Sequence, residues 1–510
     1  MNETKEWNLW AVSPLLQHGT EENPVTVIVV SNRVARAKSD EPVAGGLAAA
    51  LIPMVKESGA IWVGSSGQTS DYVISRDCYS QIEPLGTGAL ATVDMPTKHY
   101  RGFYEGFANS ALWPALHSRP DLIQVGGDDY TSYREINAFM ARALLRFSEP
   151  DAVYWVQDYH FLTLGAEMRR LQISRPIGFF LHTPWADRRT MAAVPHHGDL
   201  VQAMLAYDLI GFQTDEDRQN FEDYLQYELG LSVYDGAVTS SRGVTHLATF
   251  PIGIDVDEFS DRATKASARA EVSRLRGSLQ GAKLVLGVDR LDYSKGLANR
   301  MRAFDRMLDI EPQLKRDVSL LQVAVPTRGN IRAYRELKAE LASLVGEING
   351  RHGEVDWIPI RYLNKSFSQL TLAGFYRAAH VGLVTPLQDG MNLVAKEYVA
   401  AQNPLDPGVL VLSSFAGAAK ELDAALLVNP HNTDEMASQI GRALTMSLEE
   451  RRERWHAMVA KLRRSSIHGW FADFLRALNE TRRVPARLAT SRPAAASVLL
   501  EMAGRSVQRH

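Results

Sequence analysis

The sequence predicts an α/β protein with two domains, each built around a parallel sheet, that face each other across a cleft. Short apolar runs rich in Val, Ile and Leu recur along the 510 residues, and each has the length of a buried strand. Each run is followed by a polar or glycine-containing corner and then by apolar residues at helical spacing. Strands that are buried on both faces of a parallel sheet give rise to this alternation.

The segment from residue 381 to 402 (VGLVTPLQDGMNLVAKEYVAAQ) shows the pattern most clearly. It opens with a strand-like run, and from Met391 onward its apolar residues fall at helical spacing. Asp389 therefore lies at the corner between strand and helix, and Glu397 lies about two turns into the helix. This arrangement suits a nucleotide-sugar site, because ligands bind outside the carboxyl ends of parallel strands. An ordinary strand–helix unit with a capping aspartate would give the same pattern.

Polar residues follow several strands of the first half of the chain. The strands are predicted at residues 25–31, 60–67, 152–156, 177–181 and 209–213. Arg33, Asp158 and His182 come just past three of them, where a doubly wound sheet places its chemistry. A glycine loop that contains Gly46 could bring backbone N–H groups close to a phosphate. Taken singly, Asp158 could cap a helix, His182 could be a core histidine, and the loop could be a tight turn.

A second series of strands and helices begins after an expected crossing between the domains near residues 251–255. The strand predicted at residues 284–288 leads into a polar loop with Arg290 and Lys295, ahead of a helix. Two cations beside a helix N-terminus suit a diphosphate, and a solvated ion-pair surface is the alternative. We expect five regions in chain order: a flexible leader (1–24), an N-terminal domain (25–254), a C-terminal domain (255–460), a returning helix (461–482) and a disordered tail (483–510).

Composition excludes several classes of protein. The formal net charge of −3 gives no reason to expect nucleic acid or an anionic membrane as a partner. The single cysteine, Cys78, excludes an intramolecular disulfide and a cysteine-cluster metal site. The N-terminus does not read as a signal peptide, and no apolar run reaches the roughly 18 residues of a membrane span. We therefore expect a cytoplasmic protein.

The sequence motifs at the corners between strands and helices are more specific than the positions of these corners. In order along the chain occur VIVVSNR with a downstream AGGL, WVQDYHFL, GFFLHTPW, YDLIGFQT, FPIGID, VDRLDYSKG, PTRGN and TPLQDGMNLVAKEYVAAQNP. Together they closely resemble the trehalose-6-phosphate synthase family, whose members are retaining glycosyltransferases of the GT-B fold with two Rossmann-like domains. The resemblance covers roughly residues 25–478. Several long motifs in the same order are very unlikely to arise by chance.

The resemblance implies a reaction and a set of site residues. Glucose would pass from UDP-glucose to glucose 6-phosphate with retention, giving α,α-trehalose 6-phosphate and UDP, with no cofactor and no metal ion. The residues matching the catalytic positions are His182, Arg290, Lys295 and Asp389. Those matching the donor site, besides Arg290, Lys295 and Asp389, are Gly46, Phe367, Asn392, Leu393, Val394 and Glu397. Those matching the acceptor site are Arg33, Tyr104, Trp113, Asp158 and Arg328. The family resemblance also implies a homo-oligomer.

One departure from the family pattern leaves alternatives open. Many members carry WxGWxG near the acceptor pocket, whereas this chain has Ser65 in place of the second tryptophan. The acceptor could therefore be another compound such as glycerol 3-phosphate, and the donor could be ADP- or GDP-glucose. A catalytically silent sensor of sugar phosphates is the remaining alternative. It predicts loss of Arg290, Lys295, Asp389 or Glu397, and all four are present.

Overall fold

The structure is a computed structural model, and it describes residues 25–34, 46–71 and 79–481. The expected leader and tail lie outside the described residues, as does Cys78. Within these residues the chain forms two sheets covered by helices, so the α/β class with two parallel-sheet domains that face a cleft is confirmed.

The strands follow the predicted apolar runs, with bounds that differ by a few residues. In chain order they are β1 (Val27–Arg33), β2 (Ile61–Ser70), β3 (Tyr79–Leu85), β4 (Gly88–Pro96), β5 (Val153–Gln157), β6 (Ile177–Phe180), β7 (Leu209–Phe212), β8 (Val233–Tyr234), β9 (Ala237–Ser240), β10 (Gly243–Thr249), β11 (Lys283–Arg290), β12 (Val318–Val325), β13 (Ile360–Leu363), β14 (Val381–Val384), β15 (Val409–Ser413) and β16 (Leu426–Val428).

The helices occupy the segments between the strands and the C-terminal region. In chain order they are α1 (Gly46–Ser58), α2 (Thr97–Arg101), α3 (Trp113–Leu116), α4 (Asp129–Leu144), α5 (Leu164–Arg170), α6 (Arg188–Ala192), α7 (His197–Met204), α8 (Asp215–Leu229), α9 (Val256–Ala266), α10 (Ala270–Leu279), α11 (Leu297–Ile310), α12 (Arg332–His352), α13 (Gln369–Ala378), α14 (Leu393–Ala401), α15 (Thr433–Thr445), α16 (Leu448–Leu462) and α17 (Ile467–Glu480). A π-helical segment, Gly102–Leu112, joins α2 to α3.

The first sheet has the strand order β3-β4-β2-β1-β5-β6-β7-β10-β9-β8. Its centre is parallel, whereas β3 pairs antiparallel with β4, and β8, β9 and β10 pair antiparallel at the other edge. Of these strands, β3, β4, β8 and β9 were not predicted from the sequence, whereas β10 overlaps the strand expected at residues 246–254. The central strands are covered on both faces, since the side chains of β5 are all buried.

The second sheet has the order β13-β12-β11-β14-β15-β16, and all its pairs are parallel. The order reverses between β11 and β14, and ligands of such sheets bind at this switch point. Arg290 ends β11, and Asp389 follows β14. The fold therefore brings these two predicted donor residues to the same place at the edge of the sheet.

The last helix, α17, packs against the first sheet. Phe474 stacks on Trp155 of β5 with ring centroids 4.6 Å apart, and Trp470 lies 5.1 Å from Phe180 at the end of β6. The expected crossing at residues 251–255 lies in the segment between β10 and α9. None of the helices among the described residues is long and apolar enough to cross a membrane.

Candidate active site

The candidate site lies where the carboxyl ends of strands from both sheets meet. Asp158 and His182 follow β5 and β6, and Arg290 and Asp389 follow from β11 and β14. The two halves interact electrostatically here, because the charges of Arg290 and Arg328 in the second half both lower the pKa of Asp158 in the first. The structure therefore brings together residues that lie far apart in the sequence.

Lys295 and Asp389 form an ion pair on the side of the second sheet. The Nζ of Lys295 lies 2.5 Å from Oδ2 of Asp389, and both side chains are nearly buried. Asn392 donates a second hydrogen bond of 2.9 Å to the same oxygen. Burial raises the pKa of Asp389, but Lys295 and the hydrogen bonds outweigh it, so the pKa lies below the ordinary value. Asp389 is therefore ionised and held in one orientation.

Asn392 is the N-cap of α14, the helix that carries the predicted donor residues Leu393, Val394 and Glu397. It adopts a left-handed conformation (φ 76°), and its side chain accepts a hydrogen bond of 3.3 Å from the backbone N–H of Ala395. This cap leaves the first N–H groups of α14, including those of Leu393 and Val394, at the cleft end of the helix. An anionic ligand is stabilised at such a helix end.

Glu397 lies one turn further along α14 and is half-buried. Burial raises its pKa to about 7, against the opposing effects of a hydrogen bond from Tyr376 and of the charge of Arg262.

The other two predicted donor residues lie outside α14. The ring centroids of Phe367 and Phe375 are 5.3 Å apart, and the Nζ of Lys365 lies 4.9 Å from the centroid of the Phe367 ring. Gly46 is the first residue of α1.

Arg290 has no hydrogen-bond or ion-pair partner among the residues that the structure describes. Its guanidinium carbon lies 5.2 Å above the ring of Trp113, and its charge acts on Asp158, His160 and Asp292. A half-buried arginine that forms no hydrogen bond or ion pair within the described part of the chain is suited to binding an anionic ligand.

Arg328 contacts the same indole. Its guanidinium carbon lies 3.9 Å from the Trp113 ring, and it donates hydrogen bonds to the hydroxyl of Tyr159 at 3.0 Å and to Asp292 at 3.1 Å. Its Nε–H is buried and has no partner among the described residues. An unpaired N–H of a buried guanidinium is costly unless a ligand accepts from it.

Asp292 is a site residue that was not predicted from the sequence. Its side chain is fully buried, and it accepts hydrogen bonds from Trp113, Arg328, Tyr334 and the backbone N–H of Ser294. Burial raises its pKa, but the charges of Arg328, Arg290 and Lys295 together lower it to about 2. The sequence signal was present, because Asp292 separates the two predicted diphosphate cations in the motif VDRLDYSKG.

Asp158 adopts a positive φ of 74° at the end of β5, a conformation that costs energy for an aspartate and is typical of functional sites. Its Oδ1 accepts a hydrogen bond of 3.3 Å from the backbone N–H of His182. Burial raises the pKa of Asp158 to about 6, although Arg290 and Arg328 act in the opposite direction.

The imidazole of His182 is already paired on both sides. Nε2 lies 2.8 Å from Oε1 of Gln157, and Nδ1 lies 3.4 Å from Nε2 of Gln213. Burial lowers the pKa of His182 to about 3, so the ring is neutral near neutral pH. The ring of His182 is therefore held in a fixed position by the side-chain amides of Gln157 and Gln213.

Arg33 and Tyr104 lie at the rim on the side of the first sheet. Arg33 is exposed, and its guanidinium packs against Gly67, so that a side chain at that position would meet Nη2 at 2.7 Å. Tyr104 stacks on His160 with centroids 5.9 Å apart and belongs to the π-helical segment. Ser65, the departure from the family pattern, is buried, pairs in register with Arg33, and accepts a hydrogen bond of 3.0 Å from Gly67.

The cleft therefore combines fixed carboxylates with three cations, two of which contact a single indole ring. Among the described residues, no group of three or more His, Cys, Asp or Glu is placed to hold a metal ion. Two parallel-sheet domains with cations and a helix N-terminus at the switch point are typical of glycosyltransferases that use nucleotide sugars.

Comparison with known proteins agrees with this class. Residues 21–480 match glycosyltransferase family 20, and the chain belongs to this family. The trehalose-6-phosphate synthase of Sinorhizobium fredii is 41% identical over 454 residues, which are 88% of this chain and 97% of that protein.

Solved structures agree as well. A UDP-forming α,α-trehalose-phosphate synthase from Burkholderia xenovorans in complex with glucose-6-phosphate is 42% identical, with a TM-score of 0.85 over 89% of this chain and 100% of that one. An E. coli structure bound with UDP-2-fluoro glucose is 37% identical, with a TM-score of 0.83 over 89% of this chain and 99% of that one. The predicted family is confirmed.

Proposed function

We propose that the chain transfers glucose from UDP-glucose to glucose 6-phosphate with retention, forming α,α-trehalose 6-phosphate and UDP. The observation that carries this proposal is the pair of guanidinium groups on the Trp113 ring, Arg290 at 5.2 Å and Arg328 at 3.9 Å. Two neighbouring anion positions suit a donor diphosphate and an acceptor phosphate. The relatives that share the fold over most of their length are trehalose-6-phosphate synthases.

On the donor side, Arg290 and Lys295 bind the diphosphate, and the N-terminus of α14 adds its partial positive charge. Asp389 accepts hydrogen bonds from hydroxyl groups of the glucose, and Glu397 accepts them from the ribose. Gly46 lies near the diphosphate, the backbone of Leu393 and Val394 contacts the donor, and Phe367 lies beside the base. The negative charge that develops on the leaving diphosphate is strongest in the transition state, where fixed cations stabilise it most.

On the acceptor side, Arg33 and Arg328 bind the phosphate of glucose 6-phosphate, and Tyr104 and Trp113 line the pocket. Asp158 accepts a hydrogen bond from a hydroxyl group of the acceptor sugar. The guanidinium fork suits a phosphate, because two parallel hydrogen bonds fix both distance and orientation. The buried Nε–H of Arg328, which finds no acceptor among the residues that the structure describes, supports this role.

The reaction follows from front-face attack. The bond between the anomeric carbon of glucose and the diphosphate oxygen breaks, and the anomeric hydroxyl of the acceptor forms the new bond on the same face. The proton of that hydroxyl passes to an oxygen of the leaving diphosphate. In this scheme Asp389 acts only as a hydrogen-bond acceptor, with one of its oxygens held by Lys295 and Asn392. No covalent enzyme intermediate and no metal ion take part in this scheme.

The test is release of nucleoside diphosphate by the purified chain with UDP-, ADP- or GDP-glucose and with glucose 6-phosphate or glycerol 3-phosphate. We expect release only with UDP-glucose and glucose 6-phosphate, unchanged by EDTA. Turnover only with glycerol 3-phosphate or another donor would replace the proposed substrates and make Ser65 the first residue to test. No turnover with any pair, in protein that binds glucose 6-phosphate, would indicate a sensor.

Location and assembly belong to the same proposal. We propose a cytoplasmic protein that forms a homo-oligomer and has small-molecule substrates as its other partners. The sequence supports this through its net charge of −3 and its resemblance to the synthase family. Light scattering of the purified chain gives the oligomeric state, and a monomer at micromolar concentration would contradict the second part.

A further inference from the structure

The peptide groups of Ile252 are held from both halves of the molecule. Ile252 lies in the crossing between β10 and α9, and its N–H donates a hydrogen bond of 3.0 Å to Oε1 of Gln213, just past β7. Its carbonyl accepts a hydrogen bond of 2.7 Å from Nζ of Lys396 on α14. Gln213 and Lys396 are both buried, and Lys396 also pairs with Glu421 at 2.5 Å. This part of the crossing is therefore fixed to both sheets.

The hydrogen bond to Ile252 determines how the amide of Gln213 is oriented. A backbone N–H can only donate, so the oxygen of the amide faces Ile252 and the nitrogen faces Nδ1 of His182. Nδ1 must then accept, and the ring proton belongs on Nε2, which donates to Oε1 of Gln157 at 2.8 Å. The amide nitrogen of Gln157 points to the carbonyl of Trp155 at 3.4 Å, which agrees with this assignment.

The backbone of His182 lies between the two substrate sides. Its N–H donates to the acceptor-side carboxylate of Asp158 at 3.3 Å. Its carbonyl lies so close to Gly390, the neighbour of Asp389, that a Cβ there would approach the carbonyl oxygen to 2.1 Å. A small displacement of the His182 backbone would therefore disturb its hydrogen bond with Asp158 and its close contact with Gly390.

We propose that Gln213 is a positioning residue that couples the crossing at Ile252 to His182 and fixes the neutral imidazole with its proton on Nε2. The role of this coupling in glucosyl transfer rests on the proposed function, whereas the tautomer does not. Gln213 contacts neither substrate in this scheme. It acts through His182, whose backbone meets both Asp158 and Gly390.

The surroundings of His182 make the tautomer sensitive to residue 213. Phe180 of β6 lies 4.7 Å from the imidazole and Trp470 of α17 lies 5.9 Å away, and Asp158 is the charged side chain hydrogen-bonded to the backbone of His182. Burial alone accounts for the lowered pKa of His182. A carboxylate in place of the Gln213 amide can only accept, so it would favour a proton on Nδ1 and hence an imidazolium.

The experiment is ¹⁵N NMR of the imidazole in ligand-free protein labelled with ¹⁵N-histidine, with the His182 signals assigned by their loss in His182→Asn. In the wild type we expect a neutral ring protonated on Nε2 at pH 7. In Gln213→Glu we expect the pKa of His182 to rise by about 2 units or more. The matched control is Gln402→Glu, because Gln402 is also a buried glutamine that bonds backbone groups but does not contact His182.

Activity gives a second readout. In Gln213→Glu we expect kcat for glucosyl transfer to fall about tenfold at pH values where His182 is protonated and to recover above its new pKa, with little change in the KM values. If Gln213→Glu does not fold, Gln213→Leu takes its place. We then expect the ¹⁵N signal of His182 Nδ1 to differ from the wild type in Gln213→Leu and to equal the wild type in Gln402→Leu. A wild-type proton on Nδ1, or a His182 signal that is the same in the wild type and the Gln213 variant, overturns the proposal. Both NMR outcomes are independent of the reaction catalysed.

Discussion

The indole of Trp113 donates a hydrogen bond of 3.3 Å to the buried carboxylate of Asp292, which joins a helix of the first half to the cation loop of the second. The same carboxylate holds Arg328 at 3.1 Å, so one residue links the proposed acceptor pocket to the loop of Arg290 and Lys295. The two proposed anion positions are therefore fixed relative to each other by Asp292.

Asp292→Asn should destabilise the protein strongly. The substitution removes the charge that compensates the buried guanidinium of Arg328, and breaking a buried pair in this way costs about 3–5 kcal/mol. The measurement is the thermal unfolding midpoint of the wild type and the variant at pH 7. Asp121→Asn is the control, since its pair with Arg119 is more exposed and should contribute less than about 1 kcal/mol.

The effect of Asp292→Asn should also depend on pH. The folded-state pKa of Asp292, about 2, is lower than that of an unfolded aspartate at about 3.9. Its charge therefore contributes stability above about pH 4, and this contribution is lost as the pH falls towards 2. The difference between wild type and variant should shrink over that range, and a constant difference would contradict the assigned charge state.

Arg290→Gln should reduce activity at a cost in stability of less than about 1 kcal/mol, which comes from the loss of its contact with the Trp113 ring and of its charge near Asp292. Arg290 has no hydrogen bond or ion pair with the described residues, so its replacement removes no such contact of the fold. Loss of the cation that we propose binds the leaving diphosphate should lower kcat by about 10²–10³-fold. Steady-state rates and thermal unfolding are both measured on the same preparation.

Arg300→Met is the matched control for Arg290→Gln. Arg300 is fully buried and pairs with Asp289 at 2.6 Å and with Thr385 at 3.1 Å. We expect this variant to lose about 3–5 kcal/mol of stability. If Arg290→Gln behaved in the same way, Arg290 would be a structural arginine and the proposed donor clamp would be wrong.

Affinity for UDP-glucose should weaken as the pH falls from 8 to 6. Burial raises the pKa of Glu397 to about 7, so this carboxylate, which we propose accepts from the ribose, is progressively protonated in this range. With a pKa of about 7, the ionised fraction of Glu397 is about tenfold smaller at pH 6 than at pH 8. The Kd for UDP-glucose should therefore be up to about tenfold higher at pH 6. UDP-glucose is the suitable ligand, because its diphosphate diester does not titrate near neutral pH. In Glu397→Gln the dependence should vanish, and its persistence would assign the titration to another group.

Gly390→Ala should impair the approach of the two halves at the reaction centre. The added Cβ would lie 2.1 Å from the carbonyl oxygen of His182 and 3.0 Å from the carbonyl carbon of Thr183, which are backbone atoms and cannot rotate away. We expect kcat/KM to fall about 100-fold or more, because displacements of about 1 Å have effects of this size.

Gly346→Ala is the control for this substitution. Gly346 lies in α12, and a Cβ added to it would meet no neighbouring atom within 4 Å. Alanine in a helix interior is more favourable than glycine by up to about 1 kcal/mol. This variant should keep full activity with equal or higher stability. Normal kinetics in Gly390→Ala would show that the two halves do not need the close approach at Gly390.

The fold could be predicted because apolar runs such as those of β1, β11 and β14 have no helical period and are bounded by polar corners. The edge strands β3 and β4 could not be predicted in the same way. Their alternation of apolar and polar residues is interrupted by glycine and proline, and the pairing of β4 depends on the neighbouring β2. The antiparallel edges therefore required the three-dimensional structure.

Prediction of the site was more uneven. The sequence motifs predicted the donor residues Arg290, Lys295 and Asp389, which the structure brings together. Asp292 was missed because an acid among cations in a loop resembles a solvated ion pair until its burial is known. The environment of His182 was also hidden, since Gln157 ends β5 and Gln213 follows β7. The two contact His182 from either side only because β5, β6 and β7 lie side by side.

The most direct test of the proposed function is ¹³C NMR of the product formed from UDP-[1-¹³C]glucose and glucose 6-phosphate by the purified chain. We expect one labelled anomeric carbon with α configuration, bonded through oxygen to the anomeric carbon of glucose 6-phosphate, in an amount equal to the UDP released. A β-configured product, a linkage to another hydroxyl group, or release of UDP with free glucose as the labelled product would contradict the proposed function.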